Sequence, residues 1–176
     1  MSSEENLSPK LESSEIAALM AQGQHSLARL MLQINRQFSA IAAQRYAARG
    51  YAGLTPVHVF FMANLDLDGT RIVTAADRMK TTKQFAGRLV QELESRHYVE
   101  TTPDPTDRRA TLVKVTDAGW KFFKDACEVK NEIEAEYQAL IGEEQMGMLE
   151  SVLETLATYN PQNADSGHFP GAEVEA

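Results

Sequence analysis

The sequence predicts a mainly helical fold with one small β-hairpin: a winged helix-turn-helix lobe framed by a helical layer from both ends of the chain. Three observations predict it. Past a short strand near residue 71, residues 74–94 read as two helices across a tight turn. Residues 98–116 read as a hairpin with a long tip. The flanks, 14–48 and 117–159, carry apolar stripes at helical spacing. The lobe is placed at 54–116 within one domain spanning 14–159, and the polar ends 1–12 and 161–176 are read as mobile tails.

The first flank places Leu27, Met31, Ile34, Phe38 and Ile41 at spacings of four, three, four and three, and is read as one long helix. A helix in "TPVHVFFMANL" follows, between the outer layer and the lobe. The first helix of the pair covers about Thr74 to Met79. The second begins after Thr81 or Thr82, because either hydroxyl can accept from an unpaired N–H of the first turn. Ala86, Leu89, Val90 and Leu93 form its buried stripe. Lys83, Gln84, Gly87, Arg88 and Gln91 lie opposite: long hydrogen-bond donors beside a glycine that permits close approach. Arg can fork to guanine and Gln can pair with adenine, which makes double-stranded DNA the expected partner. The bland alternative is an amphipathic helix with a solvated face. Phe85 in the front half either meets a thymine methyl or packs under the turn.

The hairpin strands, Tyr98–Thr102 and Thr111–Thr116, are rich in Val, Thr and Tyr. Hairpin loops ordinarily hold roughly 2–5 residues. Here "PDPTDRRA" forms a longer tip, stiffened by prolines and displaying Arg108 and Arg109. Arg is favoured in a narrow minor groove, where the negative potential is enhanced. Asp107 is placed to accept from Arg109 and hold its guanidinium outward.

The second flank carries Phe122, Ala126, Val129, Ile133, Tyr137 and Leu140, then Leu149, Val152, Leu153 and Leu156. Such stripes need a partner surface: a second copy in a homodimer, or an intramolecular three-helix layer. The acidic run Glu128, Glu132, Glu134 and Glu136 reads as a solvated face.

The segments "LT" at Leu54–Thr55, "TTKQFAGRLVQELE" at 81–94 and "DRRATLVKVTDAG" at 107–119 resemble the MarR family of bacterial winged-helix regulators. The resemblance covers roughly residues 15–159. It implies that the second helix enters the major groove, and that the wing's Asp-x-Arg pattern, here Asp107 and Arg109, serves the minor groove. Three features depart from the family pattern. Lys80 fills a turn where Gly is common. His97 fills a left-handed position usually taken by Gly, which His tolerates. Thr101 and Thr102 replace basic residues at the wing base. The resemblance also implies a small aromatic ligand between the two layers, with Tyr46, Tyr51, His58, Phe61 and Met62 as candidate lining; the plain alternative is that these five are core.

The net charge of −8 is unevenly spread: residues 71–114 carry +3 and the remainder −11. A local basic surface can bind phosphate while the remainder repels misplaced DNA. A lone cysteine, Cys127, and a polar start unlike a signal peptide point to the cytoplasm. Cys127 reads as a buried inert thiol, with redox sensing as the alternative. No apolar run is long enough for a membrane span. No phosphate loop, nucleophile elbow or metal-binding His pair occurs, and His25, His58, His97 and His168 are scattered without ligand spacing; no enzyme activity, metal or cofactor is expected. The expectation is a dimeric, sequence-specific regulator, a ligand-responsive repressor on a pseudo-palindromic operator. The alternative is a winged-helix module that binds protein and not DNA.

Overall fold

The computed structural model describes residues 12–24, 26–107 and 110–159. The chain runs α1 (Ser13–Gln24), α2 (Leu27–Ala48), α3 (Pro56–Ala63), β1 (Thr70–Arg71), α4 (Ile72–Arg78), α5 (Lys83–Glu94), β2 (Val99–Pro103), β3 (Thr111–Val115), α6 (Asp117–Ile141) and α7 (Glu143–Ala157). The mainly helical class and the single hairpin are as expected. The wing is the β2–β3 ladder, with Thr102 opposite Leu112, and β1 adds a third antiparallel strand on the far side of β3.

One expected element is corrected. The stretch 14–48 is two helices, because Ser26 starts α2 afresh by accepting the Arg29 N–H at 3.3 Å on its hydroxyl. A serine competes with the helical backbone for hydrogen bonds, so it favours a start over an interior. At the other end, Glu12 belongs to the cap of α1: its carbonyl accepts from the Ile16 N–H, and its own N–H donates to Glu15. The remainder of the expected tails, 1–11 and 161–176, lies outside the described residues.

The core sits where α2, α3, α5, the sheet and α6 converge. Phe61 and Met62 of α3, Leu93 of α5, Val113 of β3 and Phe122, Val129 and Ile133 of α6 are fully buried. The predicted stripe of α5, Ala86, Leu89, Val90 and Leu93, faces this core throughout. Gly119 in α6 has a steric cause: a Cβ there would lie 2.0 Å from the Tyr98 carbonyl oxygen. The glycine therefore lets the entry to the wing cross the start of α6. Thr116 caps that helix by accepting from the Gly119 N–H at 3.1 Å, while its hydroxyl donates to the His97 carbonyl.

The outer helices differ from the core. Leu27, Met31 and Ile34 on α2 are about half exposed, whereas Phe38 and Ile41 further along pack on the core. No described residue of α7 is buried, and Leu149, Val152, Leu153 and Leu156 remain exposed along one face.

Candidate nucleic-acid interface

The turn between α4 and α5 holds Lys80 at φ 54°, and His97 after α5 stands at φ 61°. Both positions singled out for usually carrying glycine are therefore left-handed, and both cost some strain in a residue with a Cβ. The turn delivers Thr82, not Thr81, as the cap of α5, its hydroxyl accepting from the Phe85 N–H at 3.1 Å. From that start, Lys83, Gln84, Arg88 and Gln91 project to solvent. Thr82, Gln84, Phe85, Gly87, Arg88 and Gln91 line an open cleft of about 640 Å³.

The acids of α5 are turned elsewhere. Glu92 meets the buried His58 ring at 2.9 Å. Glu94 accepts from both the N–H and the hydroxyl of Thr101, at 3.1 and 2.6 Å. Thr101, which stands where the family pattern has a basic residue, thus ties the wing base to the end of α5. Lys83 and Arg88 are left to set the sign of the front face. Phe85 packs against the core under the turn, and the Arg88 guanidinium lies over its ring, 5.2 Å from the centroid.

Gly87 has no internal cause. A Cβ there would meet nothing within 4 Å, and its φ lies outside the left-handed range. Glycine inside a helix costs roughly 0.5–1 kcal/mol relative to alanine. The fold thus accepts a cost on its outward face that packing does not require.

The wing is anchored by a residue that the sequence reading passed over. Asp104, buried in the wing, accepts from the Thr106 N–H and hydroxyl, both at 2.7 Å, and from Arg71 of β1 at 2.7 and 2.6 Å. The Thr106 donors, followed by Arg71, hold its carboxyl at about 2. The signal was present: Asp followed two residues later by Thr is the signature of a side-chain-capped turn. The Asp104 N–H donates to the Ala110 carbonyl, and the Ala110 N–H to the Asp107 carbonyl, which closes the loop. Arg108 and Arg109 fall outside the described residues, and with them the expected Asp107–Arg109 pairing. A second cleft, lined by Arg71, Ile72, Val73, Thr74, Lys83, Ala110 and Thr111, joins the front of α5 to the wing base.

The candidate ligand residues all lie inside. Tyr46, Tyr51, His58, Phe61 and Met62 are buried in the core. Tyr46 packs edge-on against Phe122 at 5.5 Å, and Tyr51 packs at 5.0 Å on the same ring. The Tyr51 hydroxyl donates to Asp125 and accepts from Lys121 at 3.1 Å. Burial first, then the Asp125 carboxylate, raises the Tyr51 pKa, and the Tyr51 hydrogen bond lowers that of Asp125. His58 accepts the Thr55 N–H on Nδ1 at 3.1 Å, so in the neutral ring Nε2 carries the proton and donates to Glu92. His58 is therefore a hydrogen-bonded brace between α3 and α5. Among the described residues no group of His, Cys, Asp and Glu is arranged to hold a metal ion. Cys127 is half-buried on α6.

Two short helices across a tight turn, with a cationic front on the second and an anchored wing beside it, define a winged helix-turn-helix protein. Residues 52–110 match the model of the MarR family. The HTH-type transcriptional repressor MdtR of Bacillus subtilis (strain 168) is 25% identical over 118 residues, covering 66% of this chain and 76% of the relative. A mutant MarR from E. coli complexed with operator DNA superposes with a TM-score of 0.63 at 19% identity, over 74% of this chain and 92% of that one. CouR from Rhodococcus jostii RHA1, bound to p-coumaroyl-CoA, gives a TM-score of 0.60 at 19% identity over 78% and 95%. Over residues 52–110 this chain is thus similar to the MarR family.

Proposed function

We propose that this chain is a sequence-specific DNA-binding transcriptional regulator, a repressor that acts as a homodimer on a pseudo-palindromic operator. The observation that carries the reading is the front of α5. It is cationic, its acids are held by His58 and Thr101, and it includes a glycine that no internal contact requires. A helix front that gives up stability to stay low suits close approach to base edges and phosphates in the major groove. The wing, fixed to β1 through Asp104, reaches the adjacent groove with Arg108 and Arg109. The repressor MdtR and the MarR–operator complex support the reading by likeness.

The division of labour follows. Residues 54–116 form the DNA-binding lobe, and 14–48 with 117–159 form the dimerisation helices, within a domain of 14–159. The exposed apolar residues of α1, α2 and α7, among them Ile16, Met20, Leu30, Met31, Leu149 and Leu153, support a second copy as their cover. Two lobes related by a two-fold axis would face half-sites roughly 34–36 Å apart. No described helix is long and apolar enough to cross a membrane. The protein would act in the cytoplasm, with its DNA.

A small aromatic ligand belongs to the same proposal, by likeness to CouR with its p-coumaroyl-CoA. Tyr46, Tyr51, His58, Phe61 and Met62 are its candidate contacts. Because they are packed, a ligand would have to part the α2–α6 layer from the lobe, which is the movement that would release DNA.

Selection of bound sequences from random duplex DNA tests the reading. The expected product is an inverted repeat whose binding weakens with salt. Recovery of no sequence, with the chain folded, would leave the protein-binding module as the better account.

A further inference from the structure

We propose that Phe85 sets the base preference of α5 by holding Arg88 ready to read one guanine in each half-site. This rests on the DNA-binding reading above and goes one step further, to the base and to the residue that selects it.

Phe85 and Arg88 stand three positions apart on α5, so their side chains are neighbours on the helix surface. Phe85 is fixed from two directions. Its N–H donates to the Thr82 hydroxyl at 3.1 Å, and its half-buried ring packs on the core. The ring carries the Arg88 guanidinium 5.2 Å from its centroid. A free arginine on a helix front samples many rotamers and must give them up on binding. The negative face of an aromatic ring restricts that freedom beforehand, because it attracts the cation. A guanidinium on a ring face still presents N–H groups at its edge, and these match an acceptor pair bidentately. In the major groove such a pair is O6 and N7 of guanine, whereas adenine offers N7 beside a donor. The carboxylate that could have captured Arg88 from its own helix, Glu92 four positions on, is held by His58 at 2.9 Å. Phe85 is thus a positioning residue, and Arg88 is the group that touches the base.

The experiment begins with duplexes selected from a random pool by the parent chain. Affinities for the recovered sequence and each single base-pair substitution are then compared among the parent, Arg88→Ala, Phe85→Leu, Phe85→Tyr and the Arg88→Ala/Phe85→Leu double variant. Arg88→Ala is expected to erase preference at one G·C pair per half-site, by roughly tenfold. Replacing that guanine with 7-deazaguanine should do the same to the parent. Phe85→Leu should lower preference at the same pair by roughly two- to fivefold and leave the other positions alone. Phe85→Tyr keeps the ring face and should keep the preference. In the Arg88→Ala background, Phe85→Leu should change that position no further. Phe85→Met replaces the Leu variant if the latter melts below the assay temperature. A Phe85 variant that weakens every sequence equally, or leaves the G·C preference intact, overturns the proposal. So does an Arg88 preference for a pair other than G·C. A parent that recovers no sequence overturns the DNA reading and this inference with it.

Discussion

At the scale of single residues, the front of α5 and the wing anchor make separable predictions. Gly87→Ala fills open space on a regular helix, so it should raise stability by about 0.5–1 kcal/mol. The same methyl stands where a groove would come closest, so DNA affinity should fall. Paired thermal melts and duplex titrations check this; a variant both more stable and unimpaired would remove the steric case for the glycine. Asp104 predicts differently. Its folded pKa of about 2 lies below the ordinary 3.8, so its contribution to stability is fully present above that ordinary value. It is lost as pH falls from about 4 towards 2. Asp104→Asn should therefore flatten the acid limb of the stability profile and loosen the wing, with weaker DNA binding at neutral pH. Of these residues, Gly87 was legible in the sequence, because its place among long donors is a matter of spacing. Asp104 was legible only as a turn signature, because its partner Arg71 lies 33 positions away and the pairing exists only once β1 joins β3.

At the scale of elements, stripes and caps were read correctly where local chemistry decides them. The α5 stripe and the hairpin needed only periodicity and strand-forming residues. The ambiguity between Thr81 and Thr82 could not be resolved locally, since both carry the required hydroxyl. It was settled by Lys80, whose left-handed backbone sets where the helix begins. Thr82→Ala should cost about 1 kcal/mol by loss of the cap, and Thr81→Ala distinctly less. Urea denaturation of the two variants distinguishes them, and the reverse order would reassign the cap. The stretch 14–48 misled because its apolar stripe begins only at Leu27, beyond the break, and so could not mark where α1 ends. Periodicity counts side chains; it does not register a serine that withdraws its backbone from one helix to begin the next.

At the scale of the whole molecule, the second flank divides unevenly. α6 supplies Phe122, Ala126, Val129 and Ile133 to the core shared with the lobe, whereas α7 supplies none. A cut just before α6 would thus remove core as well as the proposed dimer surface. The dimer is better tested on α7. Leu153→Asp should leave the monomer fold intact, since its site is solvent-accessible in the single chain. In a dimer it would bury an unpaired charge, at a cost of several kcal/mol. Sedimentation should show dissociation, and DNA affinity should fall with it, because one lobe alone loses the avidity of its twin. Unchanged sedimentation would mean that this face is not the interface. The sequence showed that these helices carry apolar stripes; it could not say which stripe stays inside the chain, because that depends on what α2, α3 and the sheet already cover.

The central claim is that two α5 fronts and two wings read one duplex together. Hydroxyl-radical footprinting of the parent on its selected duplex tests this most directly. Two symmetric protected patches per strand are expected, with centres one helical turn, roughly 34–36 Å, apart. A single patch that Leu153→Asp leaves unchanged, or no protection at any salt concentration, would contradict it.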